Sequence, residues 1–103
     1  MYKILIVEDD NTISNQICKY LSGWGYESAC VENLENILPE FISFGPQLVL
    51  LDIGLPFYNG YYWCGEIRKI SQVPVVFVSS ASDNMNIVMA MNMGGDDFIV
   101  KPF

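Results

Sequence analysis

Short, wholly apolar runs alternate along the chain with stretches in which apolar residues recur at helical spacing. The strongest runs cover residues 4–7, 48–51 and 75–78, and their Val, Ile and Leu content is typical of strands buried on both faces of a parallel sheet. Weaker runs at 28–31 and 98–100 bring the predicted strands to five. The alternation predicts an α/β fold with a doubly wound parallel sheet and helices on both faces.

Turn and capping residues predict the first two helices. Asn11 can cap the first helix, with Asp10 as the alternative cap, and Gly23 ends it. The apolar spacing predicts a second helix from Asn33, but Pro39 lies inside that pattern. Because proline breaks or begins helices, we expect a kink or a later start there.

The loop marked by Pro56, Asn59 and Gly60 leads into a third predicted helix, which carries Trp63, Ile67 and Ile70. Trp63 and Cys64 of this helix are interpreted as ordinary helix packing. A fourth helix is predicted to follow the fourth strand, beginning at Ser82 or Asp83. It carries a stripe of three methionines, interpreted as core with a smaller chance of contact with another subunit: Met85, Met89 and Met93.

Length and composition favour one globular domain spanning residues 1–103. The chain is 51% hydrophobic and 17% charged, which is enough apolar surface for a core. Its net charge of -7 argues against nucleic-acid binding by this segment itself. No apolar run reaches the roughly 18–20 residues that span a bilayer, and no signal peptide is visible. We therefore expect a cytoplasmic domain that does not bind membranes.

Three widely spaced cysteines and the absence of histidine restrict the chemistry. This pattern supports neither a disulfide framework nor a Cys/His zinc site, and the thiols are interpreted as reduced. A catalytic triad based on histidine is excluded. Carboxylates, hydroxyls and lysine must therefore carry any reaction.

Polar residues follow the predicted strands at their carboxyl ends, where open α/β sheets bind ligands. Glu8 and Asp9 follow the first strand, Asp52 ends the third, Ser79 the fourth, and Lys101 follows the fifth. In a flavodoxin-like order the first and third strands are neighbours, so their three carboxylates would share one site. Such carboxylates either have raised pKa values or bind a cation, and an all-oxygen site favours Mg²⁺.

This set of groups suits phosphoryl transfer to a carboxylate. Asp52 would be the nucleophile, because it follows the most hydrophobic run and precedes no helix that it could cap. The metal and Lys101 would neutralise charge on the phosphoryl oxygens, and Ser79 would donate a hydrogen bond to one of them. Without a strong general base the acyl phosphate should persist, which suits a signal better than metabolic turnover.

Two other functions make different demands on the sequence. An aspartyl-phosphate phosphatase of the dehalogenase type needs a second Asp two residues after the nucleophile, where this chain has Gly54. A binding module for flavin mononucleotide needs a Ser/Thr/Gly-rich phosphate loop after the first strand. The acidic residues 8–10 occupy that position and would repel a phosphate.

Taken together, the motifs resemble the receiver domain of a bacterial two-component response regulator over the whole chain. They are KILIVEDD at 3–10, LLDIGLP at 50–56, NG at 59–60, PVVFVSS at 74–80, GGDDF at 94–98 and KPF at 101–103. The resemblance implies a flavodoxin-like five-stranded sheet of order 2-1-3-4-5. It also implies a sensor histidine kinase as phosphoryl donor, and contact with DNA only through an output domain outside this chain.

Residue roles follow from the same resemblance. Asp52 corresponds to the phosphoacceptor, and Glu8 and Asp9 to the acidic pair that binds Mg²⁺ together with Asp52 and the backbone carbonyl of Gly54. Ser79 and Phe98 correspond to the two switch residues, and Lys101 to the phosphate-sensing lysine. A receiver of this kind is a phosphoacceptor rather than an enzyme, with Mg²⁺-dependent self-phosphorylation and slow self-dephosphorylation. The family also implies a cis Lys101–Pro102 bond.

Four features refine the resemblance. Residues 61–64, which follow Asn59 and Gly60, together with residues 78–80 resemble the receivers of Gram-positive winged-helix regulators that respond to bacitracin, nisin and other cell-envelope-active peptides. Ser80 stands where the family favours a small residue, and Phe98 lacks the hydroxyl of the commoner tyrosine. The chain also stops before the family's fifth helix. We expect it either to self-associate, as a homodimer or otherwise, or to be a piece of a longer regulator.

Overall fold

The computed structural model describes residues 2–79, 92 and 94–100. Five strands form one sheet: β1 (Lys3–Val7), β2 (Glu27–Cys30), β3 (Leu48–Asp52), β4 (Val75–Ser79) and β5 (Asp97–Val100). Three helices lie in the described residues: α1 (Asn11–Gly23), α2 (Leu38–Phe44) and α3 (Gly60–Arg68). The predicted fourth helix, with Met85, Met89 and Met93, falls outside them.

All strand pairs in the sheet are parallel, and the strand order is β2-β1-β3-β4-β5. The predicted sheet, its order and its doubly wound architecture are therefore confirmed. In the β1–β3 pair Val7 lies opposite Leu51. The residues that follow these two positions, Glu8 and Asp52, thus emerge side by side at the carboxyl edge.

The main core lies between the sheet and the helices α2 and α3. It contains Val7, Val49, Leu51 and Phe77 from the strands, all completely buried, and Ile67 from α3. Trp63 and Cys64 are also buried in this cluster, which confirms their interpretation as core residues. Burial of this kind is worth about 1.5–3 kcal/mol for each large side chain.

On the opposite face, α1 covers the sheet incompletely. Ile17 of α1 is buried, but Ile13 and Leu21 line an apolar hollow of about 520 Å³ together with Leu50 and Val78 of the central strands. The two faces of the sheet are therefore packed to different degrees within the described part of the chain. No described helix is both long enough and apolar enough to cross a membrane.

The prediction that Asn11 caps α1 is wrong, and the alternative is confirmed. Asp10 is the N-cap, and its Oδ1 accepts hydrogen bonds from the backbone N–H groups of Thr12 at 2.9 Å and Ile13 at 3.3 Å. Asn11 is the first helical residue. An aspartate here satisfies two N–H groups that the helix leaves without partners and places its charge at the positive end of the helix dipole.

The second helix begins at Leu38 rather than at Asn33, so the later start is confirmed. Pro39 lies in the first turn, where its missing N–H costs nothing. The carboxylate of Glu40 accepts hydrogen bonds from the backbone N–H groups of Glu32 and Asn33, each at 3.0 Å. These contacts hold the preceding segment in a turn.

The prediction that α3 carries Ile70 is also wrong. The helix ends at Arg68, and Ile70 lies beyond it with 54% of its surface exposed. Its N–H bonds to the carbonyl of Ile67, three residues back, at 3.0 Å. This tight turn ends the helical repeat, so position 70 no longer points in the direction of Trp63 and Ile67.

Candidate phosphoacceptor site

Three carboxylates meet at the carboxyl edge of the sheet, as the sequence predicts. Glu8, Asp9 and Asp52 each offer one oxygen, and these oxygens all lie within 4.8 Å of one another. Glu8 and Asp52 are only 6% and 7% exposed, whereas Asp9 is open to solvent. The arrangement has two buried acids and one that a solute can reach.

The topology of the sheet accounts for this meeting. Glu8 directly follows β1, and Asp52 ends the adjacent β3. Both acids therefore lie at matching positions on the carboxyl edge of the sheet. The backbone N–H of Asp9 donates to Glu8 Oε2 at 3.0 Å, and the N–H of Gly54 donates to Asp52 Oδ1 at 3.3 Å. Backbone groups thereby orient both buried carboxylates.

The loop after Asp52 is held close to the site by its own hydrogen bonds. The N–H of Gly60 donates to the carbonyl of Ile53 at 2.9 Å, and Asn59 caps α3 by accepting from the N–H of Tyr62 at 2.9 Å. A Cβ atom added to Gly60 would overlap the carbonyl oxygen of Asp52 and lie 2.9 Å from Cα of Ile53. Gly60 therefore lets the start of α3 contact the backbone of the candidate phosphoacceptor.

The sequence pattern marks Gly60 only as part of a loop and does not predict this contact. The role of Arg68 is likewise not predicted by the pattern. The guanidinium of Arg68 donates to the carbonyls of Gly94 and Val73 and to Asp96 at 2.6–3.0 Å, and Asp96 also accepts from the N–H of Val75 at 2.8 Å. These bonds join the end of α3 to the starts of β4 and β5.

Phe98, the predicted switch aromatic, is half-buried on β5 and packs against the main core. Its register partner on β4 is Phe77. The side chain of Ser79 lies outside the described part, although its backbone closes β4. Ser80, Lys101 and the predicted cis Lys101–Pro102 bond also lie outside the described residues.

An all-oxygen donor set of this geometry suits a hard divalent cation. Magnesium and calcium both prefer carboxylate and carbonyl oxygens, and neither requires histidine or cysteine ligands. A cation bound here would offset the mutual repulsion of the three carboxylates. The chemistry of the donors thus fits the metal that the sequence predicts.

Comparison with known proteins identifies the family of the chain. The family model described as "Response regulator receiver domain" matches residues 4–103. The chain is 50% identical over 103 residues to the uncharacterized transcriptional regulatory protein YvcP of Bacillus subtilis, covering all of this chain and 44% of that protein. The chain thus spans less than half the length of this curated relative.

Solved structures agree with this match. The N-terminal domain of the nisin resistance regulator NsrR superposes with a TM-score of 0.91 at 50% identity, covering 100% of this chain and 87% of that one. The response regulator TrrA of Thermotoga maritima, solved in complex with Mg²⁺ and BeF, gives 0.87 at 32% identity, covering 100% and 89%. The predicted likeness to nisin-type regulators is confirmed. With its sheet order, its acidic edge and these relatives, the chain belongs to the response regulator receiver domain family.

Proposed function

We propose that Asp52 accepts a phosphoryl group from a sensor histidine kinase and that this modification switches an output domain elsewhere in a longer regulator. The observation that carries the proposal is the position of Asp52. It is a buried carboxylate within 4.8 Å of two further acids, at the carboxyl edge of a receiver sheet. Family membership favours this function over the phosphatase and flavin-binding hypotheses.

Glu8, Asp9, Asp52 and the backbone carbonyl of Gly54 would hold Mg²⁺. The TrrA structure supports the choice of metal, because a related receiver binds Mg²⁺ together with a phosphoryl mimic. When bound, Mg²⁺ supplies positive charge to the phosphoryl oxygens and offsets repulsion between the incoming phosphate and the acids.

The transfer itself needs few protein groups. One carboxylate oxygen of Asp52 attacks phosphorus and forms the new P–O bond, while the bond from phosphorus to the donor breaks and the donor leaves with its electron pair. Lys101 and Ser79 would stabilise the charge on the transferring oxygens. The chain contains no histidine that could act as a base toward water, so we expect hydrolysis of the product to be slow.

The test uses acetyl phosphate as a small phosphoryl donor. With Mg²⁺ the intact mass of the chain should increase by one phosphoryl group, and with EDTA it should not. Hydroxylamine should remove the group, because hydroxylamine cleaves acyl phosphates and leaves phosphoserine and phosphotyrosine intact. An increase that survives hydroxylamine, or that EDTA leaves unchanged, would contradict the proposed site.

Phosphorylation should change the positions of Ser79 and Phe98. Ser79 would move toward the phosphoryl oxygen and leave space that the ring of Phe98 fills, so that the surface around β5 changes. Because Phe98 has no hydroxyl, the switch depends on the position of its ring. Crystal structures with and without beryllofluoride and Mg²⁺ should show both side chains in different places, and identical positions would refute this coupling.

The cellular role follows from the relatives by analogy. A regulator containing this receiver would act in the cytoplasm and control transcription through an output domain that binds DNA. The name of NsrR associates a similar receiver with nisin resistance. We propose a response to antimicrobial peptides of this kind for the regulator that contains this receiver.

The 103-residue chain should self-associate. The hollow beside α1 is lined by Ile13, Leu21, Leu50 and the buried Val78, and Tyr20, which also lines it, is 69% exposed. A second copy that covers the hollow would remove its apolar lining from water. Sedimentation at micromolar concentration should show a dimer or larger species. A stable, cooperatively unfolding monomer would contradict the prediction.

A further inference from the structure

Two cysteines from different elements, 12 residues apart in the sequence, lie in contact on the side of the sheet that faces α1. Cys18 is in the middle of α1, and Cys30 ends β2. Their Sγ atoms are 2.7 Å apart, and the Cys30 thiol also lies 3.8 Å from the backbone carbonyl of Ser14. A disulfide requires a separation of about 2.05 Å, so a small movement of the two side chains would allow a bond.

The surroundings of the pair differ from those of the third cysteine. Cys18 and Cys30 are both partly exposed, whereas Cys64 is completely buried in the main core. Cys18 borders a surface hollow that it shares with Lys19, Ser22 and Tyr26. A small oxidant can therefore approach the pair, while Cys64 has neither access nor a thiol partner among the described residues.

We propose that Cys18 and Cys30 are a redox modification site that forms an intramolecular disulfide on exposure to a peroxide. The Cys18 thiolate attacks one oxygen of hydrogen peroxide, so that an S–O bond forms, the O–O bond breaks and hydroxide leaves. Cys30 sulfur then attacks the sulfenic sulfur of Cys18. The S–S bond forms, the S–O bond breaks, and the Cys30 proton leaves with the hydroxide as water.

Atoms and electrons balance in this reaction. Two thiols are oxidised, one peroxide is reduced, and two water molecules are released. Burial raises the pKa of the Cys30 thiol, and the hydrogen bond with Cys18 raises it further, to about 12. Cys18 is therefore the first nucleophile. Cys30 keeps its proton during the first step and attacks the sulfenic sulfur of Cys18 in the second.

The bond would join α1 to the edge strand β2. It would close a short loop between residues 18 and 30, which restricts the unfolded chain and stabilises the fold. The acidic cluster lies at the ends of β1 and β3, on different residues. The redox proposal therefore stands apart from the phosphoacceptor function, and either can fail without the other.

The experiment treats the reduced chain with hydrogen peroxide, blocks the remaining thiols with an alkylating agent, and maps the peptides. Trypsin cuts after Lys19, and a glutamate-specific protease isolates residues 28–32, which contain Cys30 but not Cys64. We expect the peptide ending at Lys19 to be linked to 28–32 until a reductant is added. Cys64 should be recovered alkylated once the chain is denatured, and the Tm of the oxidised chain should rise by at least about 5 °C.

Variants complete the test. Cys18→Ser and Cys30→Ser should abolish both the linked peptide and the Tm increase, and the control Cys64→Ala should retain both. A link to Cys64, covalent dimers on a non-reducing gel, or recovery of Cys18 and Cys30 as alkylated or singly oxidised thiols would overturn the proposal. Peptide mapping of the wild-type chain keeps the test decisive if a variant fails to fold.

Discussion

Replacing Asp52 by asparagine should reduce Mg²⁺-dependent phosphorylation by acetyl phosphate by more than about a thousandfold, as expected when a nucleophile is removed. The amide cannot form an acyl phosphate, because its oxygen and nitrogen are poor nucleophiles. The variant should stay folded, since asparagine has nearly the same shape and keeps an oxygen that can accept from the N–H of Gly54. Intact-mass spectrometry measures the phosphoryl group, and circular dichroism checks the fold.

Asp10→Asn is the matched control for this prediction. It makes the same change from carboxylate to amide at an acid near the site, but Asp10 caps α1 and is not part of the three-carboxylate cluster. Asparagine caps helices about as well as aspartate. The control should therefore be phosphorylated within about threefold of the wild-type rate, a small electrostatic effect at most. Equal losses in both variants would assign the effect to net charge rather than to Asp52.

Much of the fold could be predicted because three of the strands are continuous apolar runs in the sequence. The runs that became β1, β3 and β4 are continuously apolar, and only a sheet covered on both faces buries such runs. Once parallel strands are assumed, their carboxyl ends must lie at one edge. That constraint alone brings Glu8, Asp9 and Asp52 to the same edge, and the order of strands makes β1 and β3 neighbours.

Features that depend on competition between nearby residues were harder to predict. Asp10 and Asn11 are both good caps, and only the backbone path decides that Asp10 takes the position. The start of α2 depends on Glu40, which reaches back to the N–H groups of residues 32 and 33. Spacing patterns record apolar positions, and they contain no information on such polar contacts.

Contacts between side chains of different elements could not be predicted from the sequence for a different reason. Cys18 meets Cys30 only because α1 packs on β2 with one particular rotation. Arg68 reaches Gly94 and Asp96 across 26 and 28 residues of sequence. Each contact follows from the detailed packing of the fold, and that packing becomes visible only when the elements are assembled.

Gly60→Ala should weaken both the fold and the phosphoacceptor site. The new methyl group would overlap the carbonyl oxygen of Asp52 and crowd Cα of Ile53, so α3 or the end of β3 must move. Overpacking against backbone costs about 1–3 kcal/mol of unfolding free energy. Because the displaced atoms belong to Asp52, phosphorylation by acetyl phosphate should fall by about tenfold to a hundredfold, the usual effect of a small misplacement. Urea unfolding and intact-mass kinetics measure the two quantities.

Gly65→Ala is the control in the same helix. Apart from its chain neighbours and the backbone of its own helix, no heavy atom lies within 4 Å of the position that its Cβ would occupy. Alanine favours a helix over glycine by about 0.5–1 kcal/mol. This control should therefore unfold at higher urea concentration and be phosphorylated at the wild-type rate. If Gly60→Ala behaved in the same way, the start of α3 would not constrain Asp52. If it lost stability but kept its phosphorylation rate, the contact would support the fold alone, and the position of Asp52 would depend on the bonds of Ile53 and Gly54.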